Sequence, residues 1–263
     1  WESGLFRGSF SSPNDLRAAI IGAIHAWQLT NATGPLDPKA LSVAAVDTVR
    51  TALKEHRHSD PSLVLAVSVG PTQSILRPSD IEKPKLSKDL LQEALFGEFP
   101  IFSHAHGNEE AVESNRLVIQ QASGARIVKL DAAGNLLFWL ALEKNNGLFA
   151  IIKETLEQQV MHALKYAAAV LERIDPTQKL THVALAASLA GADYTVIRTQ
   201  AEHNASPNSC QIGRVWGQEE DGSVQLQPAH RPRAALFYEA EVLAEDLVTL
   251  LRGKGSGSAT KLR

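Results

Sequence analysis

The segment IFSHAHGNEE carries two histidines two residues apart, and glutamates follow them closely. If residues 101–106 formed a strand, His104 and His106 would point to the same face, because side chains alternate along a strand. Such a pair, with a carboxylate as third ligand, can hold zinc or another divalent ion. The chain's other histidines form no recognised ligand motif, so the sequence favours a solvent-exposed polar loop over a metal-dependent hydrolase.

Arg77 and Arg198 form a second candidate site, because each closes a short apolar segment, SILR in one case and TVIR in the other. If symmetry relates the two segments, both guanidinium groups could converge on an anion such as a phosphate or a nucleotide. Glu82 and Glu202 follow at similar distances and offer a purely structural alternative, in which each arginine forms an ion pair. Both interpretations stay open at this stage.

The locally basic segment AHRPR places Arg231 and Arg233 where they could touch phosphate groups. The formal net charge of −3 argues against a broad nucleic-acid surface. Cys210 is the single cysteine, and no family signature of a catalytic cysteine surrounds it. Phosphate-binding loops and the serine-hydrolase motif are absent from the sequence. The residues therefore predict no catalytic group and no cofactor.

Capping and turn residues divide the chain into alternating helices and strands. A helix is predicted to start with Ser12 as the N-cap and Pro13 at the first helical position. Further helices are predicted at about 38–58, 86–96, 150–174 and 239–252. Strands are predicted near 62–69, 74–77, 115–120, 125–130, 135–142, 180–190, 194–198, 211–216 and 223–227.

Two stretches suggest an internal duplication, one starting with Asp-Pro at Asp60 and the other with Asp-Pro at Asp175. Each continues into an apolar strand, then an arginine-ended segment, then a glycine-containing hairpin with matched spacing. The predicted fold is α+β, with two duplicated helix/β-hairpin halves related by a pseudo-twofold axis and preceded by an N-terminal helix. Four regions are predicted: 1–34, the tail of an upstream domain plus a linker; 35–149, the first half; 150–253, the second half; and 254–263, a flexible tail.

Composition is that of an ordinary globular protein, with 44% apolar and 21% charged residues among 263. No apolar run approaches the roughly 18 residues that a bilayer span needs, so no membrane association is predicted. With a single cysteine and no signal peptide, a cytoplasmic location is expected.

The stretch FRGSFSSPNDLRAAIIGAIHAW, from Phe6 to Trp27, resembles the closing strand and last helix of TIR-like, nucleoside-deoxyribosyltransferase-like domains of bacterial signalling and defence proteins. The segments RPSDIEKPKLSKDLLQEALFG and ALKYAAAVLERIDP resemble C-terminal regions that accompany such domains or Schlafen AlbA-type domains. The resemblance implies an upstream effector domain in the same polypeptide. It transfers no catalytic residue to this chain.

Together these observations predict a non-catalytic ligand-sensing or protein-interaction module of a bacterial multidomain protein, with its binding surface between the two halves. A nucleotide or another anionic small molecule is the expected ligand, held by Arg77 and Arg198. A nucleic-acid-binding regulator is one alternative and would add Arg231 and Arg233. The other is a metal-dependent hydrolase that uses His104 and His106.

Overall fold

The computed structural model describes residues 12–13, 15–17, 19–23, 36–56, 60–121, 124–142, 150–192, 195–206 and 222–256. These residues form an α+β fold, as predicted, built on an antiparallel sheet with strand order β2-β3-β4-β5-β1-β7-β9. Two short parallel strands, β6 and β8, pair separately. The strands are β1 (Ser62–Gly70), β2 (Asn108–Glu113), β3 (Arg116–Gln121), β4 (Arg126–Asp131), β5 (Leu136–Ala141), β6 (Ala150–Ile152), β7 (His182–Ala190), β8 (Val196–Arg198) and β9 (Val224–Pro232).

Helices cover both faces of the sheet. The described helices are α1 (Pro38–Glu55), α2 (Pro78–Ile81), α3 (Pro84–Phe96), α4 (Lys153–Ile174), α5 (Gln200–Ala205), α6 (Ala235–Tyr238) and α7 (Ala240–Ser256). Residues 15–17 and 19–23 are also helical. The Asp15 amide donates to the Ser12 hydroxyl at 3.2 Å, which confirms the predicted start of this helix. None of the helices described is long and apolar enough for a membrane crossing.

Strand β1 is buried along its whole length because it has a partner on each edge and helices on each face. Its partners are β5 and β7, both antiparallel. The continuous apolar run that predicted this buried strand reflects its position in the middle of the sheet. A strand covered on only one face would show alternating polar residues.

Side-chain size differs between the two faces of β1 and β7. On one face these two strands carry small residues, including Ala66, Ala184 and Ala186, and α1 packs there through Ala45 and Val49. Small residues allow the helix to lie close to the sheet. Asp37 caps α1, accepting backbone N–H bonds from Lys39 and Ala40 at 3.0 Å each.

The opposite face carries the larger residues of β1, such as Leu63 and Leu65, and holds the main core. Helices α3, α4 and α7 cover it, and α4 is its central element. Tyr166 of α4 is 1% exposed, and its hydroxyl donates to the Leu90 carbonyl at 3.0 Å, which ties α4 to α3.

The predicted pseudo-twofold relation is not confirmed. Strands β1 and β7 are antiparallel neighbours, and Ala66 lies opposite Ala186. A twofold axis through that pair would be perpendicular to the sheet, so the helices that precede the two strands would share a face. Instead α1 and α4 lie on opposite faces. Strands from the predicted halves 35–149 and 150–253 are neighbours in one sheet and share one core.

Most predicted helices and strands are present with shifted ends, but several predictions differ from the structure. Residues 74–77 do not form a strand, since the amides of Ile75 and Leu76 both donate to one carbonyl, that of Ala132. The sequence missed β2, β6 and the short helices α2, α5 and α6, and residues 150–152, predicted as the start of a helix, form β6. Helix α7 runs to Ser256 and so includes the start of the predicted tail 254–263. The predicted strand at 211–216 lies outside the described residues.

Candidate functional site

A cleft opens beside the C-terminal half of α4, where that helix meets the end of β9 and α6. Its volume of about 580 Å³ lies within the range of small-molecule sites. The other walls are the loop after α3 and the segment that leads into β7. Residues that line it include Phe99, Lys165, Glu172, Arg233, Phe237 and Tyr238.

Three aromatic rings form one wall of the cleft. The rings of Phe99 and Phe237 meet edge to face with centroids 6.4 Å apart, and Phe237 meets Tyr238 in the same way at 5.3 Å. Phe237 is 46% exposed and Tyr238 83% exposed. Aromatic rings that remain accessible in a concave surface can stack on a planar ligand.

Lys165 places a positive charge against this aromatic wall. Its Nζ lies 4.3 Å from the centroid of the Phe99 ring and 5.8 Å from that of Phe237, so both rings make cation–π contacts. The side chain is only 15% exposed, and among the described residues it forms one ion pair, with Glu241, which is 3.9 Å away and 80% exposed. No acceptor among the described residues lies within hydrogen-bond distance of Nζ. The ammonium group therefore has unused donors next to the cleft.

An ion-pair cluster centred on Arg233 forms part of the cleft wall. The Arg233 guanidinium donates through Nη1 to Asp175 Oδ2 at 3.0 Å and through Nη2 to Glu172 Oε2 at 3.1 Å. Asp175, whose side chain is 1% exposed, also accepts the amides of Lys179 and Leu180 at 3.1 and 2.8 Å. The cluster thus joins the end of α4, the segment before β7 and the end of β9.

The predicted nucleic-acid contacts Arg231 and Arg233 are both occupied by local partners. Burial lowers the pKa of Arg233, an effect that the nearby carboxylates of Asp175 and Glu172 oppose. Arg231 donates through Nη1 to the carbonyl oxygens of Pro228 and His230. The Arg233 guanidinium is therefore engaged by carboxylates, and Nη1 of Arg231 is engaged by backbone carbonyls.

The predicted pair Arg77 and Arg198 is not brought together. Strands β1 and β7 are antiparallel neighbours, so their C-terminal residues lie at opposite ends of the strands, about 30 Å apart for strands of this length. Arg77 lies beyond the end of β1, next to the β4–β5 turn, because the amide of the preceding Leu76 donates to the Ala132 carbonyl at 3.0 Å. Arg198 lies beyond the end of β7, in β8. The structure therefore does not bring the two guanidinium groups to one anion.

Each of these arginines has its own local partner. Arg77 is 77% exposed, and its Nε donates to Asp80 Oδ2 at 3.1 Å. Hydrogen bonds from Arg77 and Lys83 lower the pKa of the Asp80 carboxyl. Arg198 is buried, and its Nη1 donates to the Ser206 carbonyl at 3.4 Å. Arg77 thus forms an ion pair of the kind that the structural alternative expected, with Asp80 in place of Glu82, whereas Glu202 pairs with Arg252 at 2.7 Å.

His104 and His106 lie in an exposed turn before β2, not in a strand. The ring of His104 packs on Phe96 with centroids 4.6 Å apart. Within the described part of the chain, no group of three or more histidine, cysteine, aspartate or glutamate residues is arranged to hold a metal ion. The expected polar loop is therefore observed. Cys210 lies outside the described residues.

The ends of this loop are anchored by a buried amide. Gln121 of β3 is 1% exposed. Its Nε2 donates to the Ser103 carbonyl at 2.6 Å and to Asn108 Oδ1 at 2.7 Å, and its Oε1 accepts the Ser103 amide at 2.7 Å. Arg126 adds a bond to the Ile101 carbonyl at 2.7 Å. The segment IFSHAHGN is a structural loop pinned to the sheet.

Sequence reasoning missed the cleft because its residues are far apart in the chain. Phe99, Lys165 and Phe237 come from three separate elements, and none belongs to a recognisable motif. Two signals were visible: the Asp-Pro after α4 and the basic segment at the end of β9. The structure joins them as the pair Asp175 and Arg233.

Comparisons of the chain with protein-family models, curated proteins and solved structures return no match.

Proposed function

We propose that the chain is a non-catalytic ligand-sensing module that binds a small molecule in the cleft beside α4. The observation that carries the proposal is a preformed cavity of about 580 Å³ with an accessible aromatic wall. Small-molecule sites are usually largely preformed and rich in aromatic side chains. The proposal keeps the sensing role predicted from the sequence and moves the site from the two arginines to this cleft.

The position of the cleft in the fold supports a sensing role. Its walls include Arg233 and Glu172. With Asp175 these residues form the ion-pair cluster that joins three segments of the chain. A ligand held there contacts both α4 and the β9–α6 junction, so binding would stabilise their relative position. In the bacterial multidomain protein that the N-terminal resemblance implies, an upstream effector domain would respond to that change.

The test is a small-molecule thermal-shift screen of the wild type and of Ala168→Trp. Ala168 lines the cleft, and an indole at this position would fill it. A compound that binds only the folded protein raises the melting temperature. We expect several hits with the wild type and their loss in Ala168→Trp.

Gln158→Trp is the matched control, because Gln158 is an exposed residue of the same helix outside the cleft lining. Phe237→Ala is a second cleft variant, chosen because Phe237 is half exposed and its truncation leaves the core intact. Hits that persist in Ala168→Trp and Phe237→Ala, or a screen without hits, would refute a ligand site in this cleft.

A further inference from the structure

We propose that the ligand of the cleft is a small aromatic molecule with a single anionic group, and that Lys165 binds the anion. This inference rests on the proposed function, since it names the ligand class of the same site. It depends on three features of the described residues: the hydrogen bonding of Lys165, the accessibility of the aromatic rings, and the arrangement of charges around the opening.

Lys165 has donors that the described protein groups do not use. Its side chain is 15% exposed, and its ammonium group meets two ring faces and one carboxylate at 3.9 Å. Its Nζ is not among the buried polar atoms that lack a partner, so it stays accessible to solvent. A ligand carboxylate or phosphate in the cleft would replace that solvent and accept charge-assisted hydrogen bonds from Nζ.

The aromatic wall defines the rest of the ligand. Phe99 and Phe237 already hold the Lys165 ammonium against their rings, so a cationic ligand would meet a like charge where it stacks. A planar, uncharged ring avoids this repulsion and can pack on Phe237 and Tyr238, which are accessible. The ligand therefore combines an aromatic ring with an anion.

Carboxylates in the cleft limit the anionic charge that a ligand can carry. Glu93, Glu98 and Glu172 all line the cleft. Glu172 is paired with Arg233, and Glu93 lies 4.0 Å from Arg173, whereas Glu98 has no partner among the described contacts. One anionic group can reach Lys165, but a chain of phosphates would extend toward these carboxylates and be repelled. The same carboxylates can accept hydrogen bonds from hydroxyl or amino groups of the ligand.

Two kinds of ligand share this chemistry, a mononucleotide and an aromatic carboxylic acid, and calorimetric titration at low salt distinguishes them by their affinities. For the first kind, adenosine monophosphate is compared with adenosine and with adenosine triphosphate. For the second, indole-3-carboxylate is compared with indole. We expect at least one of the two anionic probes to bind roughly tenfold or more tightly than its neutral counterpart, from the charge-assisted hydrogen bonds to Lys165. Adenosine triphosphate should bind more weakly than the monophosphate.

Variants at position 165 test the role of the ammonium group. Lys165→Met keeps the length of the side chain and removes its charge, so it should abolish the preference for the anionic probe. Lys165→Arg should largely retain that preference. Lys39→Met is the control, because it removes one charge from an exposed position on α1, across the sheet. Melting temperatures of all variants confirm that they are folded.

Any of four results would overturn the inference. The neutral and anionic probes bind equally, or Lys165→Met keeps the preference for the anionic probe. Alternatively, the triphosphate binds most tightly, or neither anionic probe binds. If the screen gives hits that Ala168→Trp removes, while charge and Lys165 have no effect, the proposed function stands and only the ligand class fails. If Ala168→Trp removes no hit, both fail.

Discussion

At the scale of single residues, Asp175 is the sequence-predicted position whose side chain connects several parts of the fold. Its carboxylate binds Arg233 and the amides of Lys179 and Leu180 while almost completely buried. The sequence drew attention to this position because proline follows it and ends the helix. The structure shows that the carboxylate, which organises the turn and the arginine, is the more important feature.

Replacement of Asp175 should therefore destabilise the fold strongly. Asp175→Ala leaves the Arg233 guanidinium largely buried with Glu172 as its remaining carboxylate partner and removes the acceptor of two amides. We expect a loss of about 3 kcal/mol in the free energy of unfolding, measured by urea denaturation, since breaking a buried ion pair leaves an uncompensated charge.

Asp47→Ala provides the comparison, because Asp47 forms an exposed ion pair with Arg50 on α1 at 3.4 Å. Exposed pairs contribute little, so this variant should unfold close to the wild-type urea concentration. Equal stability of Asp175→Ala and Asp47→Ala would contradict the role assigned to the buried cluster.

At the scale of elements, the sequence predicted the central strands of the sheet but not its edge strand β2. The uninterrupted apolar run of β1 and the glycine between β4 and β5 gave clear signals, and Gly134 does adopt a φ of +95°. A Cβ there would also lie 3.0 Å from the Leu180 side chain, so a larger residue would be strained and would require Leu180 to shift. Strand β2 has the sequence NEEAVE and is exposed. It gave no signal because it pairs only with β3 and buries almost no apolar surface.

The conformation of the loop before β2 depends on the hydrogen bonds of Gln121, and this dependence can be tested by mutation. Gln121→Ala removes three hydrogen bonds to Ser103 and Asn108. We expect faster hydrogen–deuterium exchange in residues 101–108, with the exchange of α4 nearly unchanged, because the core behind the loop remains packed.

Gln120→Ala is the matched control, since the neighbouring Gln120 makes an exposed contact with Glu109 at 2.6 Å. It should leave the exchange of the loop close to that of the wild type. Equal protection of the loop in Gln121→Ala and the wild type would show that the buried amide does not anchor it.

At the scale of the whole molecule, the sequence predicted the α+β class but not the relation between distant residues. Arg77 and Arg198 end similar segments, and the similarity suggested that they meet. Their separation follows from the antiparallel pairing of β1 and β7, which local patterns do not reveal. The cleft was hidden for the same reason, because Phe99, Lys165 and Phe237 become neighbours only through tertiary packing.

Global stability should depend on pH through His182. Burial, and secondarily the charge of His230 on the adjacent strand, lowers the pKa of His182 below its ordinary value of 6.5. The folded state therefore favours the neutral ring, whose Nδ1 lies 2.9 Å from the Thr181 hydroxyl. The stabilising contribution is complete above pH 6.5 and is lost as the pH falls from there toward the lower folded-state pKa.

Urea denaturation at pH 7.5 and at pH 5.5 measures this effect. The wild type should lose more stability between the two values than His182→Gln, which cannot bind the proton. Identical losses in the two proteins would show that His182 does not contribute to the pH dependence.

The central position of β1 has a consequence for how the protein is made. One edge of this apolar strand is completed by β5, but the other is completed only by β7, which leaves the ribosome much later. Until then a nascent chain displays an open apolar edge of the kind that recruits other strands. Translation must therefore pass β7 before the core can close, and chaperones that shield unpaired strands would act in that interval.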